Sequence, residues 1–228
     1  MTKIVPAILP QRFSEVESAV AQVVGAVDTV QIDFVDGVFA PNKTLGCNGK
    51  DEALLQAIRD EKQGLPHWED IDYEFDLMVQ EPIEKLEGFL ALGPSKIILH
   101  VESLDEERVL KYFEALPEIT KSTILFGIAL NIDTDPTRLQ PYAAYIDTIQ
   151  CMGIDRVGFQ GQPFDGRVIE QLRKVKARFL DKHISVDGGV SLETAPALID
   201  AGVDALIVGS AIFEASDPRN ALQQFKQL

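Results

Sequence analysis

Eight short runs rich in β-branched and apolar residues, separated by segments of helical periodicity, constrain this chain more than any other feature. The runs are Lys3–Leu9, Thr29–Phe34, Asp72–Val79, Lys96–Glu102, Ile124–Asn131, Thr148–Gly153, His183–Asp187 and Ala205–Val208. Strands that alternate with helices build parallel sheets, because each helix carries the chain back to the edge where the next strand starts. Phe13, Val16, Val20, Val23, Val24 and Val27 recur at helical spacing, as do Val168, Ile169, Leu172, Val175 and Phe179. Pro82 and Pro218 fit the first turns of helices, and Ser216 or Asp217 can cap the second. A count of eight, with polar residues gathered at the carboxyl ends of the runs, predicts an α/β fold of the (β/α)8 TIM barrel class. An open doubly wound sheet is the alternative. Nothing divides the chain, so residues 1–228 are read as a single barrel domain. The segment from Gly46 to Asp72 is long, and Gln63–Trp68 reads as an irregular excursion before the third strand.

The second run carries chemistry. Val30-Gln31-Ile32-Asp33-Phe34-Val35-Asp36-Gly37 begins as an apolar strand and ends on carboxylates and a turn. An unpaired charge inside such a run would be expensive, so Asp33 points to a cavity. Gln31 and Asp33 are two apart and share one side of the strand. By the same alternation Glu74, Asp76 and Met78 share a face, and Asp76 points inward if Met78 does. His100 and Glu102 are read as a further inward pair on strand four, and Asp187 ends strand seven. Crowded carboxylates raise one another's pKa unless a cation or a proton relieves them. That pattern suits a metal site or an acid/base pair flanking a substrate. Met78 and Met152 read as core or pocket wall, and Asp36 as the cap of the turn at Gly37.

Two glycine turns follow the last two strands: Asp187-Gly188-Gly189-Val190 and Val208-Gly209-Ser210-Ala211. Barrels often hold phosphate on backbone amides at this place, where glycine allows close approach. Gly158-Phe159-Gln160-Gly161-Gln162 follows strand six and is placed to close over a ligand.

Composition excludes some classes. The formal net charge is −15 over 228 residues, which argues against nucleic acid or an anionic membrane as the main partner. No apolar run reaches the roughly 20 residues of a membrane span, and the amino-terminal stretch is too short for a signal-peptide core. Cys47 and Cys151 lie far apart without metal-ligand spacing, which fits a reducing, cytoplasmic setting.

With these residues in place the chain resembles the ribulose-phosphate 3-epimerase family and its relatives acting on other ketose phosphates. The likeness runs nearly end to end. It includes Pro6-Ala7-Ile8-Leu9, the stretch Asp33 to Asn42, Asp76-Leu77-Met78-Val79 and His100-Val101-Glu102. It continues through Gly127–Asn131, Gly158–Gln162, Val186–Gly189 and Gly209–Phe213. The resemblance implies proton transfer at carbon 3 of a phosphorylated ketose, with Asp33 and Asp187 as the two acids. It implies phosphate on Gly161, Gly188, Gly189, Gly209 and Ser210, and a substrate pocket including Ala7, Met78, His100 and Met152. A homo-oligomer is a further implication. The family binds a divalent metal through two aspartates and two histidines; here Gln31 and Asp76 stand at the histidine positions. The ligand set would then be Gln31, Asp33, Asp76 and Asp187, all oxygen donors, which favours magnesium or manganese over zinc, or the metal is gone. The alternatives are a phosphosugar-binding barrel without catalysis, or another barrel enzyme such as a lyase or synthase. The chain offers no clear inward strand-end lysine for a Schiff base.

Overall fold

A computed structural model of the chain describes residues 2–228. Eight parallel strands close into a barrel in sequence order. They are β1 (Lys3–Ile8), β2 (Thr29–Val35), β3 (Asp72–Met78), β4 (Lys96–His100), β5 (Leu125–Leu130), β6 (Thr148–Met152), β7 (His183–Asp187) and β8 (Ala205–Val208). The periodicity found all eight strands within one or two residues at each end. The exception in consequence is β4. It stops at His100, and Glu102 lies on the following 3-10 turn rather than on the strand.

Around the barrel stand α1 (Phe13–Val23), α2 (Glu52–Arg59), α3 (Leu86–Leu90), α4 (Glu106–Ala115), α5 (Glu118–Thr123), α6 (Arg167–Arg178), α7 (Ala195–Asp200), α8 (Ser210–Phe213) and α9 (Pro218–Lys226). Asp217 caps α9, its carboxylate accepting from the Asn220 N–H. Two connections depart from the simple pattern. α1 ends before Val24 and Val27, because Gly25 takes a left-handed φ of 78° and turns the chain. Between β5 and β6 the chain forms a 3-10 stretch, Pro136–Tyr142, instead of an α-helix. Pro141 lies inside it and has no N–H to give an α-helical ladder. The long segment after β2 contains α2 and then the irregular stretch toward β3.

Alternation along each strand separates two interiors. Outward residues such as Phe34, Phe75, Ile97 and Leu99 pack under the helices in the main apolar core. Phe34 meets Phe75 and Phe89 edge-on, each at 4.9 Å between ring centroids. Inward residues form small apolar groups, such as Val5 with Ala7 and Ile207, and Ile98 with Ala129 and Met152. Polar and apolar side chains lie in layers through the rest of the barrel interior. Gln31 lies beside Glu74, Asp33 beside Asp76, and Val35 beside Met78. Among the described residues no helix is long and apolar enough to cross a membrane.

At the amino end of the barrel Glu74 and Lys96 form a largely buried ion pair, 2.8 Å apart. Removing one partner of a buried pair leaves an uncompensated charge. Lys96→Met is expected to cost about 3 kcal/mol in urea unfolding, and pairing it with Glu74→Leu to recover most of that loss. A single variant as stable as the parent would show that the pair is solvated.

Candidate active site

The carboxyl end of the barrel gathers the polar strand residues. Asp33 ends the inward face of β2, Asp76 that of β3 and Asp187 that of β7. Oxygens of these three carboxylates lie within 4.8 Å of one another. Asp76 is completely buried, whereas Asp33 and Asp187 retain 7% and 9% of their surface. The latter two therefore face the cavity, and Asp76 supports them from behind.

Amide donors hold the cluster. Gln31 Nε2 donates to Asp33 Oδ1 at 2.8 Å and to Asp187 Oδ2 at 2.9 Å. Gln150 Nε2 donates to Asp76 Oδ2 at 3.1 Å and to Asp187 Oδ2 at 3.3 Å. His100 Nε2 lies 3.0 Å from Asp76 Oδ1. His100 is fully buried and stands under the Phe39 ring, with centroids 5.0 Å apart. It reaches the site through Asp76 and does not line the cavity. The expected inward pair of His100 and Glu102 is corrected here. Glu102 has left the strand, and its carboxylate accepts from the Asn131 N–H at 2.8 Å and from the Thr134 hydroxyl. Its other oxygen remains 3.9 Å from His100 Nδ1.

Gln150 and Ser185 escaped the sequence reading. Gln150 interrupts the apolar run Ile149-Gln150-Cys151 much as Asp33 interrupts β2, and that interruption was the available signal. Its partners lie on β3 and β7, and strand pairing across a closed barrel is not written in local pattern.

The cavity is lined by Ala7, Met78 and Met152 together with Asp33 and Asp187. Gly161, Gly188, Gly189, Gly209 and Ser210 form its other wall. Gly188 and Gly189 take φ of 94° and 67°. A Cβ on Gly188 would lie 2.7 Å from Ile154, and one on Gly189 would lie 2.6 Å from the Phe164 backbone. Only glycine fits this turn, and it leaves bare backbone facing the cavity. The loop Gly158–Gln162 lies across the mouth, where Gln160 Nε2 donates to the Ala7 carbonyl at 3.2 Å and Asn42 Nδ2 to the Gly158 carbonyl at 3.1 Å. The cavity volume is about 50 Å³. Asp36 holds the neighbouring turn, accepting from the N–H groups of Val38 and Phe39 at 2.8 and 2.9 Å.

Electrostatics follow from crowding. Burial, reinforced by Asp187 and Asp76, lifts Asp33 well above the usual carboxylate range. Burial and then the Asp76 charge push Asp187 up to about 7. For His100, burial opposes the charged form, but Asp76 outweighs it by charge and hydrogen bond, and the net shift is upward. Among the described residues no lysine or arginine pairs with the three aspartates. Three converging carboxylate oxygens without a fixed cation fit a divalent metal ion, and the buried Oε1 of Gln31 has no partner that would oppose turning that amide toward it.

The shifts imply a pH dependence of stability. Asp187 titrates near 4 when unfolded and about 7 when folded, so folding favours its protonated form. Its stabilising contribution is present below pH 4 and is lost as the pH rises through about 7. In chelator-treated protein Asp187→Asn should therefore melt above the parent at pH 8, with the gap closing toward pH 4. A gap independent of pH between 4 and 8 would contradict the assignment.

Comparison with known proteins agrees with this geometry. A family model described as the ribulose-phosphate 3 epimerase family matches residues 3–213. The ribulose-phosphate 3-epimerase of Bacillus subtilis is 28% identical over 99% of both chains. That of Chlamydia pneumoniae is 31% identical over 82% of this chain and 77% of its own. Among solved structures, 3-hexulose-6-phosphate synthase from Salmonella typhimurium superposes with a TM-score of 0.68. It is 21% identical and covers 99% of this chain and 97% of its own. Orotidine 5'-monophosphate decarboxylase from Sulfolobus solfataricus gives 0.60 at 12% identity, covering 100% and 97%. These structural likenesses concern the fold. The chain belongs to the ribulose-phosphate 3 epimerase family.

Proposed function

We propose that this chain epimerises a phosphorylated ketopentose at carbon 3, interconverting sugars of the ribulose 5-phosphate and xylulose 5-phosphate type. The observation that carries the reading is the pairing of Asp33 and Asp187. They are the two accessible carboxylates of the cluster, they come from strands on either side of β1 and β8, and they share one amide donor. Family membership and the names of the relatives support the same reaction.

Epimerisation needs a base on one face of the substrate and an acid on the other. The ionised aspartate takes the carbon-3 proton, and the electrons of the broken C–H bond move into an enediolate. The protonated aspartate then delivers its own proton to the opposite face. One proton shared between two crowded carboxylates provides both roles at once; burial and repulsion from neighbouring carboxylates raise both pKa values, that of Asp187 to about 7. Met78, Met152 and Ala7 wall the cavity and limit water around the intermediate. The phosphate is assigned to Gly161, Gly188, Gly189, Gly209 and Ser210, where bare backbone faces the cavity. Entry requires the Gly158–Gln162 loop to open, since its closed form leaves little room.

A divalent cation held by Asp33, Asp76 and Asp187, with the Gln31 amide oxygen once that amide is turned over, would supply positive charge beside the substrate's oxygens. An all-oxygen set favours magnesium or manganese over zinc.

Two measurements test the reading. Ribulose 5-phosphate incubated with the protein in deuterated water, with manganese, should acquire deuterium at carbon 3. Asp33→Asn and Asp187→Asn should each lower exchange by at least 10³-fold, an order expected when an essential acid or base is lost. Binding of the sugar phosphate without exchange would leave a non-catalytic binding barrel. Separately, protein purified without chelator should carry magnesium or manganese near one equivalent on elemental analysis. Stoichiometric zinc would refute the metal preference.

A further inference from the structure

We propose that Gln150 is a positioning residue that fastens Asp76 to Asp187 and so builds the aspartate cluster into the fold. This rests on the aspartate cluster being the functional site. Gln150 sits on β6, 1% exposed, in register with Ser185 on one side and Ala129 on the other. Its single amide nitrogen reaches Asp76 Oδ2 on β3 at 3.1 Å and Asp187 Oδ2 on β7 at 3.3 Å.

Two features make that reach possible. The first is space. β5 lies between β6 and β4, and its inward residues are Gly127 and Ala129. Neither fills the interior, so a long side chain from β6 can cross to β3. The second is orientation. The Ser185 hydroxyl donates to Gln150 Oε1 at 3.3 Å. Holding the oxygen there turns the NH2 group toward the carboxylates. The reverse orientation would set the amide oxygen against two acids.

The physical need is plain. Asp76 and Asp187 crowd each other in a buried space where, among the described residues, no arginine or lysine pairs with them. A neutral N–H donor shared by both satisfies two acceptors without adding a charge. Gln31 does the same for Asp33 and Asp187. The three carboxylates are thus stitched in a row by two carboxamides, with His100 at the far end on Asp76. The cluster's spacing is a property of the protein, and a divalent ion meets three carboxylates already gathered. Partners of this kind, one step behind metal ligands, are typically worth about 10- to 100-fold in metal affinity.

The test uses the whole chain and Mn²⁺ alone. Gln150→Met keeps length and bulk and removes the donor. It should weaken Mn²⁺ binding, measured by calorimetry, about 10-fold or more. Ser185→Ala leaves Gln150 in place without its orienting hydroxyl and should weaken binding in the same direction by a smaller factor, roughly threefold. Turnover of ribulose 5-phosphate by Gln150→Met should lose kcat with KM nearly unchanged, since the phosphate cradle is untouched. A crystal structure of Gln150→Met without metal should show the Asp76 and Asp187 carboxylates moved apart by about 1 Å or more. Carboxylates unmoved in that structure overturn the proposal, as does Mn²⁺ affinity equal to the parent in both variants. If the parent binds Mn²⁺ but gives no exchange at carbon 3, the epimerase reading falls. The Gln150 assignment is then still decided by affinity and structure.

Discussion

The centre of this barrel depends on the burial of three carboxylates that repel one another. Each is costly to ionise away from water, and burial beside neighbouring carboxylates raises the pKa values of Asp33 and Asp187. Without donors the cluster would spread or protonate throughout. Two glutamine amides and one histidine supply those donors from strands β2, β6 and β4. The tension between repulsion and restraint leaves Asp187 poised near neutrality while Asp76 stays sealed beneath it. A site of this kind stores the capacity to exchange protons in its geometry, because a small change in charge nearby moves a proton on or off.

The scaffold serves that centre by keeping two interiors apart. Outward strand residues give the helices a continuous apolar floor, and this burial carries most of the fold's stability. The inner face is then free to be polar. It holds Glu74 with Lys96 at one end and the aspartates at the other. Small residues on β5, Gly127 and Ala129, keep the middle open for Gln150 to cross. The glycine turns after β7 and β8 lie at the same end as the carboxylates. Parallel strands all finish there, so the loops that could hold a phosphate and the groups that could move a proton share one mouth.

If the site takes a divalent ion, its all-oxygen donor set bears on which ion it would take. Imidazole is a good zinc ligand, whereas carboxylate and amide oxygens suit harder ions. The same set also bears on what holds the site when no ion is bound. Gln31 donates to two of the carboxylates, a task that an imidazole, with one N–H to give, would share out differently. The unpartnered Gln31 Oε1 is the remaining cost of this arrangement. Turning that amide over would bring an oxygen to the cluster instead of a nitrogen.

The strands, their order and the inward direction of Asp33, Asp76 and Asp187 were legible in the chain itself. Period-two alternation and glycine turns are local, and eight repeats of one pattern close in few ways. Local pattern failed where proline or chain geometry intervened. Pro141 turned the β5–β6 connection into a 3-10 stretch, and an early turn took Glu102 off β4. It failed more deeply at Gln150 and Ser185, while His100, which the family resemblance placed in the pocket, stands behind Asp76. By itself the sequence determined that the barrel forms and that acids line its mouth, because alternation decides which side chains face inward. Tertiary structure alone decided which amide meets which acid, because those partners sit on strands far apart in the chain and meet only when the barrel closes.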